Sequence, residues 1–272
     1  MKKIIVLFMS FIVLVVALSG CSPKEDKRSD DYKPETLNVE FVPSQNAKTL
    51  DAKVKPLQQL LSKELGIPVK VHIATNYNTM VEALKSKKVD DKGHPTSKLV
   101  DYYRSQIVVR QNSHLQTLED LKGKKVGLQD PESTSGYIYP MASLKKVHIH
   151  QNDIKIAQIK GHDQALIALL NGDVDAVATY QDARADLKRD YPNIYKDTKV
   201  IYRTEKIPND TISVRSDMDQ QWKTKISNAF LEMSKTKKGK TILTDIYGHQ
   251  GYEKAKDSDF DTVRKYRKLV EE

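Results

Sequence analysis

Cysteine is nearly absent from this chain, with a single residue, Cys21, in 272. One cysteine forms no intramolecular disulfide, and it builds no thiolate metal cluster. Long apolar runs are also lacking. The only one, Ile4 to Leu18, is interrupted at Ser10 and is shorter than the roughly 20 residues a spanning helix needs. There is no Gly-x-Ser-x-Gly elbow, no His-Glu-x-x-His pair and no phosphate-binding Walker loop. No nucleophile–base pair is evident, so an exported hydrolase is not expected. His148-Ile149-His150 has the spacing of a metal pair on a strand, but no carboxylate or cysteine cluster accompanies it. No metal and no cofactor are expected. Internal repeats of 20 to 50 residues and coiled-coil heptads are absent too, which excludes solenoids and long zippers.

What is present begins with an export signal. Lys2 and Lys3 precede the apolar run, and Leu18-Ser19-Gly20-Cys21 ends it. Residues 1–20 read as a signal peptide. The tetrapeptide resembles the bacterial lipobox, which implies cleavage before Cys21 and a diacylglyceryl group on its sulfur. Acyl chains anchor by burying methylenes, at about 0.8 kcal/mol each. The polar, charged stretch from Ser22 to Pro34 has no hydrophobic period, and residues 21–36 read as a flexible tether. The expected location is the extracytoplasmic face of the cell membrane.

The formal net charge is +9. A basic balance suits nucleic acid, an acidic surface or an anionic ligand. Export argues against nucleic acid, and the basic residues are spread along the chain, as on a solvated face.

From Leu37 onward, short β-branched runs alternate with amphipathic helices, the signature of βαβ units and largely parallel sheets. Strands are expected at 37–42, 69–74, 102–110, 124–128, 154–159, 174–179 and 211–215. Helices are expected at 50–65, 79–87, 136–147, 163–170 (with Asp163 as cap) and 181–189. Three more follow near 220–236, 239–246 and 260–270. Val54, Leu57, Leu60, Leu61 and Leu65 share one face of the first helix; Gly66 ends it and Pro68 blocks extension. Residues 191–209 read as a loop.

Several strings resemble the phosphonate-binding protein family of ABC importers, within the type II periplasmic-binding class. They are Leu118-Glu119-Asp120-Leu121-Lys122-Gly123-Lys124-Lys125-Val126-Gly127, Asp130-Pro131-Glu132-Ser133-Thr134-Ser135-Gly136, His162-Asp163-Gln164-Ala165-Leu166 and Asn171-Gly172-Asp173-Val174-Asp175-Ala176. Val42-Pro43-Ser44-Gln45-Asn46 and Thr75-Asn76-Tyr77 fit in the first lobe. The resemblance implies an α/β fold of two lobes joined by two crossover strands, 102–110 outgoing and 211–215 returning. Lobe one would comprise 37–105 and 212–272, with the C-terminal helices packed back on it, and lobe two would comprise 106–211. Against the family pattern roughly thirty residues are missing after Lys88-Val89-Asp90, which shortens lobe one and would leave a sheet edge unpaired.

The resemblance also implies a small oxyanion as ligand (a phosphonate, phosphite or phosphate), an ABC permease as partner, and a monomer. A sulfonate or other anion in the same fold, or a surface lipoprotein that has lost binding, are the rival readings. Ser133, Thr134, Ser135 and Gly136 follow a strand and open a helix, where unpaired N–H groups suit an anion and the glycine permits close backbone approach. Ser and Thr are also ordinary N-caps. His162 stands at a strand's carboxyl end, where open α/β sheets bind ligands, and the family places a histidine here against the anion. Tyr180 and Asp182 follow the next such strand. Tyr180 would stack on or bond to ligand, and Asp182 would pair with an amino group or cap a helix. By the family pattern Tyr77 reaches the anion from lobe one. Ser44, Gln45 and Asn46 suit either ligand contact or turn chemistry.

Overall fold

The computed structural model describes residues 32–41, 47–73, 84–86 and 100–272. The signal, Cys21, Ser44, Gln45, Asn46 and Tyr77 lie outside the described residues.

The chain builds two sheet-centred bodies. In the first, β1 (Leu37–Phe41) and β2 (Val69–Ile73) run parallel, with Leu37 opposite Val69. Helix α1 (Ala47–Leu65) makes the crossover between them. Its heptad-like face buries Val54, Leu57, Leu61 and Leu65, each contributing about 1.5–3 kcal/mol of apolar transfer energy. Leu60, on the same face, is partly buried against this cluster. Gly66 terminates the helix at φ +69°, where any side chain would be strained.

A short strand, β3 (Leu84–Ser86), pairs antiparallel with β11 (His249–Tyr252). These three residues fall within the helix expected over 79–87, so that part of the expectation is corrected: a ladder partner 160 or so residues away overrides local helical pattern. The tether reading is corrected at its end as well. Tyr32 N–H donates to Asp217 O at 3.1 Å, Asp219 N–H donates to Tyr32 O at 2.9 Å, and Pro34 is buried.

The second body is a five-stranded mixed sheet in the order β7-β6-β8-β5-β9. Strands β6 (Lys125–Leu128), β7 (Lys155–Gln158) and β8 (Ala176–Tyr180) are parallel. Strand β5 (Ser105–Arg110) runs against both β8 and β9 (Thr198–Arg203). One face buries Ile107, Val109, Val126, Leu128 and Leu144; the other buries Val108, Leu166, Leu169 and Val177. Helix α2 (Tyr139–Lys146) covers the first, and α3 (His162–Asn171) the second. Short helices α4 (Ala183–Leu187) and α5 (Ile194–Asp197) lead into β9. The expected loop over 191–209 therefore contains an edge strand.

The two bodies are joined where β4 (Tyr102–Tyr103) pairs with β10 (Ile207–Pro208). Asn209 N–H to Asp101 O at 2.9 Å and Thr204 N–H to Ser105 O at 3.0 Å extend this ribbon. The return crossover expected at Thr211–Arg215 is corrected: those residues form no ladder, and Ile212 and Val214 pack on the first core instead. Helices α6 (Gln220–Met233) and α7 (Lys237–Tyr247) lie against α1. The last helix, α8 (Asp261–Glu271), departs from the expectation that it returns to the first body. It packs on α2 of the second, burying Tyr266 beside Tyr139 and Ile138.

Candidate functional site

Because β7, β6 and β8 are adjacent and parallel, their carboxyl ends share one edge of the sheet, with the start of antiparallel β5 beside them. Every sequence-derived candidate of the second body lies on the segments leaving that edge. Residues 129–136 follow β6, His162 follows β7, Tyr180 ends β8 and Asp182 follows it.

Loop 129–136 is closed on itself. Asp130 Oδ1 accepts from Glu132 N–H at 2.9 Å, and Asp130 O from Ser133 N–H at 2.8 Å, with Pro131 at the turn position its fixed φ suits. Gln129 N–H donates to Gly136 O at 3.0 Å and ties the two ends. The chain then enters a wide turn, Thr134–Ile138, continuous with α2. Ser133 is its N-cap: the buried hydroxyl accepts from Gly136 N–H at 3.2 Å. Gly136 also meets a packing requirement that the sequence did not show. A Cβ there would stand 2.1 Å from Gln129 Cγ and 2.9 Å from Ser133 Oγ. Its lack of a Cβ lets the loop close, and its N–H is committed to the cap. Among the described residues, the N–H groups and hydroxyls of Thr134 and Ser135 meet no partner, which leaves two amides and two hydroxyls as anion donors.

His162 is the first residue of α3 and is 3% exposed. Gly161, at φ +88°, occupies the N-cap position. Asp163 is therefore not the cap; it sits in the first turn, where its charge suits the helix dipole. The His162 and Tyr180 rings meet edge to face at 4.7 Å and 72°, so the structure brings these two candidates together. Tyr180 Oη donates to Asp186. Asp182 stands at the N-cap of α4 without a side-chain capping bond, and its carbonyl accepts from Ala185 N–H at 2.8 Å.

A family model described as "ABC transporter, phosphonate, periplasmic substrate-binding protein" matches residues 39–90 and 91–260. The chain belongs to this family. It is a family of transporter substrate-binding proteins rather than of enzymes. The break in the match falls at Asp90–Asp91, where the sequence pattern is short. The Escherichia coli K12 "Phosphonates-binding periplasmic protein" is 25% identical over 261 residues, 87% of this chain and 75% of that one. A solved binding protein component of an ABC phosphonate transporter from Pseudomonas aeruginosa superposes with a TM-score of 0.72 at 18% identity, covering 87% of this chain and 86% of that one. PhnD1 from Prochlorococcus marinus, solved with methylphosphonate, gives 0.70 at 18% identity, covering 88% and 99%. The fold is that of the type II periplasmic-binding proteins.

The support beneath the strand edge in this chain was not legible as function. Ser105 and Gln106, both fully buried, open β5 at the site edge. Gln106 Nε2 donates to Thr179 Oγ1 at 3.3 Å. The available signal was a Ser-Gln pair set directly before Ile107-Val108-Val109, a polar start to a strand otherwise wholly apolar. Among the described residues, no group of three or more His, Cys, Asp or Glu is placed to hold a metal ion.

Proposed function

We propose that this protein is an extracytoplasmic solute-binding lipoprotein that captures a phosphonate, phosphite or phosphate-like oxyanion and delivers it to an ABC permease. The observation that carries this is the pair of unengaged amides and hydroxyls at Thr134 and Ser135, at the same sheet edge as His162 and Tyr180. Such a set binds an anion by preorganised dipoles, without a covalent step. In this reading Ser133, Gly136 and Asp182 shape the pocket, with Ser133 and Gly136 closing the loop. Tyr77 approaches from the first body, and the two bodies, with α8 carried by the second, close about the ribbon of β4 and β10. Cys21 carries the lipid and residues 1–20 are removed. The protein acts as a monomer.

Titration calorimetry of the mature chain with methylphosphonate, aminoethylphosphonate, phosphite and phosphate tests the ligand class. A folded sample giving no heat with any of them overturns it. A sulfonate arm separates the rival anion class: phosphonates change charge near neutral pH and sulfonates do not, so only the former give a pH-dependent affinity. For the anchor, Cys21→Ser releases the protein from membranes; retention there contradicts it.

A further inference from the structure

The final helix crosses from one body to the other. It grows from β11 through the exposed stretch Glu253–Lys256 and the turn Asp257–Phe260, then lies along α2 and the wide turn that follows loop 129–136. Four interactions hold it there. The rings of Tyr266 and Tyr139 stack at 4.1 Å, 9° from parallel. Lys145 Nζ donates to the carbonyls of Leu269 (2.8 Å) and Val270 (3.2 Å), a cation at the negative end of α8. Lys146 Nζ donates to Tyr266 Oη at 2.6 Å. Arg267, finally, forms an ion pair with Glu132, the residue immediately before the Ser133 cap.

We infer that Arg267 is a positioning residue for the anion loop, acting through Glu132, and that α8 is the strap that keeps it in place. This rests on the oxyanion reading of that loop. The physical need is specific. A loop that takes an anion on neutral amides and hydroxyls carries the Glu132 carboxylate two residues before its first donor, Thr134. Uncompensated, Glu132 repels an incoming anion and competes for the N–H groups the guest requires. The guanidinium fork satisfies the carboxylate and turns it toward α8. The pair is 43% and 33% exposed, so it adds little to global stability. Its effect is on where the negative charge sits, and that effect grows with the charge of the guest.

The test uses the full mature chain as wild type, Arg267→Gln, Glu132→Gln and the double variant. Each is titrated with methylphosphonate below and above the probe's second ionisation. Arg267→Gln weakens binding by about three- to tenfold, with the larger loss for the dianion. Glu132→Gln does not weaken it, and the double variant returns to within about twofold of wild type. Equal affinity of Arg267→Gln and wild type, or a double variant as weak as Arg267→Gln, overturns the proposal. Hydrogen exchange on the ligand-free protein decides the strap separately. Arg267→Gln accelerates exchange at Tyr137 and Ile138, whose amides bond to Ser133 O at 3.0 and 2.9 Å, with the melting temperature unchanged. Unaltered exchange there overturns it. A wild type that binds no probe overturns the oxyanion reading and, with it, the part of Arg267 in affinity, whatever the exchange result.

Discussion

Ser105 Oγ donates a 2.5 Å hydrogen bond to the carbonyl of Ser135. This single bond ties the first residue of the strand that enters the second body to the loop proposed to offer its amides to an anion. Both residues are buried, so water cannot replace the bond when it is lost.

Ser105→Ala leaves the Ser135 carbonyl unsatisfied, and the expected loss of stability is about 1–3 kcal/mol. Urea denaturation measures it as a lower midpoint at unchanged slope. An unshifted midpoint shows that the bond contributes nothing net.

Gly136→Ala places a methyl 2.1 Å from Gln129 Cγ and 2.5 Å from Gln129 Cβ. The loop must open to admit it, at a cost of about 1–3 kcal/mol. Thermal melting reads the stability, and calorimetry with methylphosphonate reads a loss of binding larger than the loss of stability alone explains. A variant with wild-type melting and wild-type affinity contradicts the close packing.

Thr134→Val keeps the shape of the side chain and removes the hydroxyl. If Thr134 donates to an oxyanion, affinity falls by about 1–3 kcal/mol, because one desolvated oxygen is left without a donor. The same substitution barely moves the melting temperature of the free protein, since Thr134 is partly exposed and its hydroxyl meets no partner among the described residues.

Tyr139 is fully buried and its hydroxyl finds no hydrogen-bond partner among the described residues. Burial holds its ionisation well above the usual tyrosine range. Tyr139→Phe preserves the stack on Tyr266 and removes the stranded polar group. Stability is expected to rise by about 1 kcal/mol, read as a higher urea midpoint; a fall would reveal a partner for that hydroxyl.

Asp120 accepts from the N–H groups of Gln116 at 2.7 Å and Thr117 at 3.0 Å, which hold its carboxyl below the usual 3.8. A depressed folded-state value means the ionised form is favoured by folding. The contribution is fully present above the unfolded value of 3.8 and disappears as pH falls through the folded one. Asp120→Asn is therefore less stable than wild type at neutral pH, and the difference shrinks as pH falls below 3.8. Urea midpoints across that range check the sign.

Much of this arrangement was legible along the chain because it rests on local chemistry. The apolar spacing of α1 and its Gly66 stop read directly, as did the placement of Ser133 to Gly136 after a strand and at a helix start, and of His162 after a strand. Where reading failed, two similar strings had exchanged roles. Thr211-Ile212-Ser213-Val214-Arg215 alternates like a strand but has no neighbour to pair with, and its apolar residues join the first core. Thr198–Arg203 lies in what read as loop, yet it is the edge strand, because β5 has a free side to receive it. Strand character is completed by a partner, and periodicity does not say whether one exists.

The sequence by itself determined the α/β alternation, the stop of α1 at Gly66 and the capped turn that opens at Ser133. Each depends on residues within about one helical turn or one strand of each other, where sterics, capping and hydrophobic period act directly. Only the tertiary structure decided that Gly136 is required by Gln129, that Ser105 supports Ser135, and that α8 returns from the far body to pair Arg267 with Glu132. Those contacts join positions up to 135 residues apart, and nothing local encodes them; they exist because burying two sheet faces and one amphipathic helix brings distant segments into the same few ångströms.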